Sequence, residues 1–314
     1  MRTMADTIVL CESPLQYKNA LAFISEHHSE KPTLFILRKN GLQDNDRHFV
    51  PPQDIVHHFF YEKRVKKSSR VGLFFFVLLI WIKYFLLRSN KRFVVGDVRS
   101  KWMRTVLNFN KSADIIFVDD GMATIATIPQ MESVSTYGSK TLYTFFNVKS
   151  ETLKIIHRHP EIKCSKPSGR QIWFAGGPYV EKQILTSEVY LAILRRFINQ
   201  YRQHGELVYA RHRSEDRLTQ AELQQLGFAI VSESESTLED KIEQMDELVA
   251  VLVGLYSTAL FNVKTAYPQI QVISYCCPDE YYLSNNKAIS DVYLFLEAHS
   301  HVDIQYLRQD ELDD

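Results

Sequence analysis

The sequence predicts an α/β protein made of two doubly wound domains, and three observations carry that expectation. Short runs rich in Val, Ile, Leu and Phe alternate with longer, helix-periodic runs through both halves of the chain, the pattern of right-handed βαβ units around a parallel sheet. The alternation lapses at "HRHPEIKCSKPSGRQ", a stretch with Pro, Gly and little periodicity, and then restarts. The 314 residues suffice for about two domains. The boundary is therefore placed at that lapse, giving domains 1–160 and 161–314.

In the first half "TIVLC" reads as a short buried strand. "ESPLQYKNALAFISEHH" comes next as a helix, with Pro14 suited to its first turn. "PTLFIL" is a strand and "RKNGLQDND" a turn-rich loop. "KRFVVGD" is a strand, "SKWMRTVLNFN" a helix, and "ADIIFVDD" a strand that ends on two carboxylates and Gly121. In the second half "QIWFAGG", "GELVYARH", "FAIVS", "ELVAVLVGLYST" and "QIQVISYCC" read as strands. "SEVYLAILRRFINQYRQ", "QAELQQLG" and "STLEDKIEQM" lie between them as helices.

The segment from Val71 to Arg88, "VGLFFFVLLIWIKYFLLR", is apolar apart from Lys83 and is flanked by basic residues. Its uninterrupted part, Val71 to Ile82, is shorter than the roughly 20 residues that span a bilayer. Three readings stay open: a buried helix, an interfacial helix whose Lys and Arg reach phospholipid headgroups as a peripheral membrane contact, and a true span.

Composition is that of an ordinary globular protein, 45% hydrophobic and 24% charged. A formal net charge of zero lends no support to a nucleic-acid partner. The four cysteines (Cys11, Cys164, Cys276 and Cys277) do not form a CxxC clip. They read as reduced thiols of a cytosolic protein, and "MRTMADTIVLCESPLQ" lacks the apolar core and cleavage site of a signal peptide.

The residues just beyond the strand ends carry the chemistry. The first domain offers Glu12-Ser13-Pro14, Asp97-Val98-Arg99-Ser100 and Asp119-Asp120-Gly121. Carboxylates and hydroxyls of this kind suit a general base and a hydroxylated acceptor. The second domain offers Gly176-Gly177-Pro178, Arg211-His212-Arg213 and Tyr256-Ser257-Thr258. Glycines, a histidine among arginines and hydroxyls at a helix start suit a phosphate-bearing ligand. Each group has a plainer reading too: Asp-Asp-Gly is a turn signal, "YST" an N-cap, and Ser236 with Glu239 a capping box. No GxGxxG or GxxxxGK[ST] is present, so dinucleotide and P-loop binding lack support. Asp44 and Asp46 spell DxD in a loop ahead of any nucleotide domain and are set aside.

The order of these groups resembles the bacterial sialyltransferases and polysialyltransferases, two-Rossmann (GT-B) enzymes that use CMP-activated sialic acid. "DDG" at Asp119 to Gly121 looks like the family's acidic pair, and "YSTAL" at Tyr256 to Leu260 like its Ser/Thr pair. "CESPLQYKNAL" and "VVGDVRSKWMR" also look like this group. The family's histidine normally precedes proline; here His212 precedes Arg213. The resemblance implies an inverting, metal-independent transfer from a CMP-nonulosonic acid to a hydroxyl of a surface glycan, lipooligosaccharide or capsule, with no cofactor beyond the donor; the expected location is cytoplasmic, peripheral at the inner face of the cytoplasmic membrane if 71–88 is interfacial.

The resemblance also implies roles. Asp120 is the expected base, its pKa raised by its acidic neighbour, with Asp119 the runner-up of a pair that sequence alone does not separate. His212, Ser257 and Thr258 would meet the CMP phosphate. Gly176 and Gly177 would let backbone approach the nucleotide, and Glu239 would accept from the ribose hydroxyls. Ser13, Gln16, Asp97 and Arg99 are the expected acceptor contacts, while Arg99, Arg211 or Arg213 would meet the sugar carboxylate. Four other readings stay open: a CMP-Kdo donor, a CDP-alcohol polymer transferase, a non-catalytic nucleotide binder marked by Arg213, and a membrane-associated assembly protein working through 71–88.

Overall fold

The computed structural model describes residues 7–27, 33–39, 57–61, 92–158, 162–163, 166–212, 214–231, 237–299 and 301–312. The apolar segment 71–88, Asp44, Asp46, Cys164, Arg213 and Ser236 lie outside the described residues. The chain divides into two compact units, Met1–His159 and Pro160–Asp314.

The first unit is built on a sheet of seven described strands in the order β3-β2-β1-β4-β5-β6-β7. They are β1 (Thr7–Cys11), β2 (Thr33–Lys39), β3 (His57–Tyr61), β4 (Arg92–Val95), β5 (Asp114–Val118), β6 (Lys140–Thr144) and β7 (Lys154–His157). Every pairing is parallel. Among the described residues three helices connect them: α1 (Pro14–His27), α2 (Lys101–Asn108) and α3 (Ala123–Glu132). Every residue of β1 is buried, because a parallel sheet covered on both faces needs a continuous apolar run rather than alternation. Val9, Cys11 and Phe35 of the sheet pack with Tyr17, Ala20, Phe23 and Ile24 of α1. Each such large apolar side chain contributes roughly 1.5–3 kcal/mol by leaving water.

The second unit repeats the plan in the order β10-β9-β8-β11-β12-β13. Its strands are β8 (Gln171–Ala175), β9 (Glu206–Ala210), β10 (Ala229–Val231), β11 (Val251–Gly254), β12 (Gln271–Cys276) and β13 (Asp303–Tyr306). They are again parallel throughout. The helices are α4 (Ser187–Tyr201), α5 (Gln220–Gln225), α6 (Leu238–Gln244), α7 (Thr258–Ala266) and α8 (Asn286–His299). Trp173, Val208, Leu252 and Val272 of the sheet form one core with Leu260 and Val263 of α7.

Both sheets are Rossmann-like, and in both the strand order reverses beside the first strand: at β1/β4 in one unit and at β8/β11 in the other. In such sheets the chain leaves these two strands on opposite faces, so a crevice opens at their carboxyl ends. Among the described residues no helix is long and apolar enough to cross a membrane. Cys11, Cys276 and Cys277 are buried free thiols.

One local expectation is corrected. The cap of α6 is Thr237, whose hydroxyl accepts from the Asp240 amide while the Asp240 carboxylate accepts from the Thr237 amide. The box is thus one residue later than Ser236 and Glu239, so Glu239 does not serve as the capping carboxylate.

Candidate functional site

In the first unit Ser13, Gln16, Asp97, Arg99 and Asp120 come together at the β1/β4 switch and the neighbouring end of β5. Ser13 caps α1, its hydroxyl accepting from the Gln16 amide at 3.2 Å and donating to Asp120 Oδ1 at 3.3 Å. Gln16 returns its carbonyl to the Glu12 amide at 2.9 Å. The residue is only 2% exposed, and its side chain also hydrogen-bonds Asp120, so it supports both Ser13 and Asp120. Arg99 donates to both Asp97 oxygens, at 3.0 and 3.1 Å, and its Nη2 also donates to Asp120 Oδ2 at 3.1 Å. The guanidinium thus bridges two carboxylates.

A further carboxylate, Glu12, holds this loop from beneath. Its Oε2 accepts from Trp102 Nε1 at 2.9 Å and from Ser100 Oγ at 3.1 Å, with Arg38 Nη1 at 3.5 Å. The start of α2 is tied in this way to the end of β1. Gly121 has φ +66, a left-handed conformation that costs a residue with a Cβ about 1–2 kcal/mol. It turns the chain so that the Asp120 amide donates to Thr124 Oγ1 at 2.8 Å.

The two adjacent aspartates occupy different surroundings. Asp119 is 1% exposed, and its Oδ2 accepts from the Phe145 amide beyond β6 at 3.0 Å. Burial pushes its pKa up to about 7, against the opposing pull of Thr144, Phe145, Thr124 and Arg158. Burial also raises the pKa of Asp120, with the charge of Asp97 next, while Gln16, Arg99 and Ser13 pull it down. The expectation that the adjoining carboxylate raises the base is therefore corrected: desolvation is the main cause for both, and the acidic group acting on Asp120 is Asp97.

In the second unit Gly176 and Gly177 follow β8, His212 follows β9, and Ser257-Thr258 follow β11. Ser257 is the N-cap of α7, its hydroxyl accepting from the Ala259 amide at 3.3 Å. Thr258 opens that helix, whose dipole favours an anion at its start. Glu239 Oε1 accepts from Asn262 Nδ2 of α7 at 2.7 Å, which ties α6 to this helix. His212 Nδ1 accepts from the Ser214 amide at 3.1 Å, so its neutral ring carries the proton on Nε2. Arg211 Nη2 donates to the backbone carbonyls of Glu215 and Leu218, at 3.1 and 2.7 Å.

The glycines have a packing reason for their identity. A Cβ at Gly176 would lie 2.6 Å from Glu215 Oε2, and one at Gly177 would lie 2.5 Å from the Tyr179 ring. The Gly176 amide donates to the Ala210 carbonyl at 2.9 Å and the Gly177 amide to Glu215 Oε1 at 2.9 Å. Glu215 is the residue that sequence reasoning missed. It is 9% exposed, and burial lifts its pKa to about 7. Nothing in "ARHRSED" distinguishes a buried Glu215 from a solvated one; only the order of strands shows what surrounds it.

No protein-family model matches the chain, and no curated protein matches it. Solved structures do. Acinetobacter baumannii MurG is similar at 10% identity, covering 98% of this chain and 88% of that one, with a TM-score of 0.56. Arabidopsis thaliana UGT89C1 complexed with UDP-L-rhamnose is similar at 10% identity, over 99% and 88%, with a TM-score of 0.61. Anabaena HepE in complex with UDP is similar at 7% identity, over 98% and 87%, with a TM-score of 0.53. At these identities the likeness is one of fold: two parallel-sheet Rossmann-like domains, the architecture of GT-B glycosyltransferases.

Proposed function

We propose that this chain is an inverting glycosyltransferase that moves sialic acid or a related nonulosonic acid from its CMP-activated form to a hydroxyl of a bacterial surface glycan. One observation carries the reading: each Rossmann-like unit gathers chemistry at its own topological switch point, a carboxylate cluster in the first and a helix start with a histidine in the second. The GT-B fold of MurG and UGT89C1 supports the transfer class. The sialyltransferase-like motifs support the CMP donor.

On this reading Asp120 takes the proton of the acceptor hydroxyl. Burial raises its pKa and makes it a stronger base than an exposed aspartate, while Arg99 favours its charged form. The acceptor oxygen bonds to the anomeric carbon as the bond from that carbon to the phosphate oxygen breaks. The electron pair leaves with CMP, and the anomeric configuration inverts. His212 donates from Nε2 to the departing phosphate, and the start of α7 at Ser257 and Thr258 stabilises the same charge. Glu239 beside α7 accepts from the ribose. Asp97, Arg99 and Ser13 orient the acceptor, and no metal enters the displacement.

A UDP-sugar donor is the second reading, favoured by the UDP-L-rhamnose and UDP bound to UGT89C1 and HepE. Nucleotide release from a panel of CMP-linked and UDP-linked sugars separates the two. Turnover of a CMP-linked nine-carbon acid, with UDP-sugars inert, is expected. Turnover of UDP-sugars alone overturns the donor and keeps the transfer class, and a folded protein that turns over neither overturns both.

A further inference from the structure

Glu215 closes a small turn after β9, its amide donating to the His212 carbonyl at 3.0 Å. Its carboxylate is then spent on three segments at once. Oε2 accepts from the His212 amide at 2.7 Å. Oε1 accepts from the Gly177 amide at 2.9 Å, from Tyr209 Oη of β9 at 2.8 Å and from Tyr190 Oη of α4 at 3.3 Å. The loop after β8 and the loop after β9 are thereby joined through one buried group. A carboxylate is an expensive choice for holding two loops together, because its charge must be desolvated. Its advantage is geometric: two acceptor oxygens and no proton, so that both backbone amides are satisfied in fixed directions.

We propose that Glu215 is a positioning residue of the donor site, whose ionised carboxylate sets the Gly177 loop and His212 for the donor's phosphate. The proposal rests on the donor-binding reading of the second unit. Protonation removes this arrangement, since a carboxylic acid turns one oxygen into a donor that meets an amide also donating. The surroundings bring that change into the neutral range: burial lifts the group to about 7, opposed by Tyr209 and the His212 and Gly177 amides and aided by the Glu181 carboxylate. The other groups facing it are Tyr190 of α4, Tyr179 and Gly176 beside β8, and Arg211, whose guanidinium donates to the Glu215 backbone carbonyl.

The test compares wild type with Glu215→Gln, a neutral group of the same shape, using CMP as the probe. CMP affinity is measured calorimetrically from pH 5.5 to 8.5. At low pH both proteins carry a neutral group, so the variant serves as its own folding control and binds CMP as wild type does. At pH 8.5 the variant is expected to bind about tenfold more weakly, the loss of one hydrogen bond to a charged acceptor. The titration of the CMP phosphate is common to both and cancels in the ratio. Backbone amide shifts of Gly177 and His212 in the nucleotide-free proteins give the second readout. In wild type the two are expected to move together with a midpoint near pH 7, and in Glu215→Gln the Gly177 titration disappears.

A ratio of affinities that is the same at every pH, or Gly177 and His212 shifts that move independently, overturns the positioning role and leaves the donor site standing. Coupled shifts in a protein that binds no CMP at any pH overturn the donor-site reading, and the positioning role with it.

Discussion

Asp119 and Asp120 adjoin in the chain but answer to different surroundings, and their titrations separate their roles. Asp119, buried against the end of β6, is raised from an ordinary 3.8 to about 7. Between those values the folded protein holds a proton that the unfolded chain has released, so stability falls as pH rises through that window. The total is on the order of 4 kcal/mol. Glu215 acts in the same direction, from 4.5 to about 7. Asp119→Asn is therefore expected to resist urea better than wild type at pH 8 and about equally at pH 4, measured by the unfolding midpoint. A variant weaker than wild type at pH 8 would show that the Asp119 charge supports the fold rather than strains it. A carboxylate retained at such a cost sits beside the proposed base, Asp120, and fixes the end of the strand that presents it.

At the scale of the element, the turn after β5 decides where Asp120 points. Gly121 at φ +66 is the hinge of that turn, and Gly121→Ala is expected to cost about 1–2 kcal/mol in urea unfolding, with activity lost beyond what stability explains. An unchanged unfolding midpoint would remove the conformational reason for glycine there. The Asp-Asp-Gly turn was legible in the sequence because a buried strand, two carboxylates and a glycine leave few alternatives. Central strands such as β1, β5 and β11 were legible for the same reason: their runs are continuously apolar. Of the outermost strands, β10 was read as "FAIVS" but β7 and β13 were not read. β7 and β13 lie at sheet edges with exposed outer residues, so "KIIH" and "DIQY" carry too little apolar character to register. Helix α3 hides behind "ATIATIPQME", where β-branched residues and an internal proline weaken the helical signal. The cap of α6 slipped by one residue because Ser236 and Thr237 each precede an acidic residue at the same spacing.

At the scale of the molecule, two sheets with the same reversed strand order explain why six separate sequence fragments gather into two clusters. Ser13 is far in the chain from Asp97 and Arg99, yet β1 and β4 pair directly and bring their carboxyl ends side by side. β8 and β11 do the same for Gly176-Gly177 and Ser257-Thr258. The strand-end positions could be read from the sequence. The side-chain partners could not, because Glu12, Glu215 and Asn262 acquire their roles from neighbours that only the folded arrangement brings to them. The central claim is that Asp120 activates an acceptor for transfer from a CMP-linked nonulosonic acid, and the most direct measurement is the transfer rate of wild type and Asp120→Asn at saturating donor, with CMP affinity measured alongside. The account predicts a fall of at least about a hundredfold in kcat with CMP affinity unchanged, since Asp120 belongs to the other unit. Transfer by the variant at the wild-type rate would contradict it.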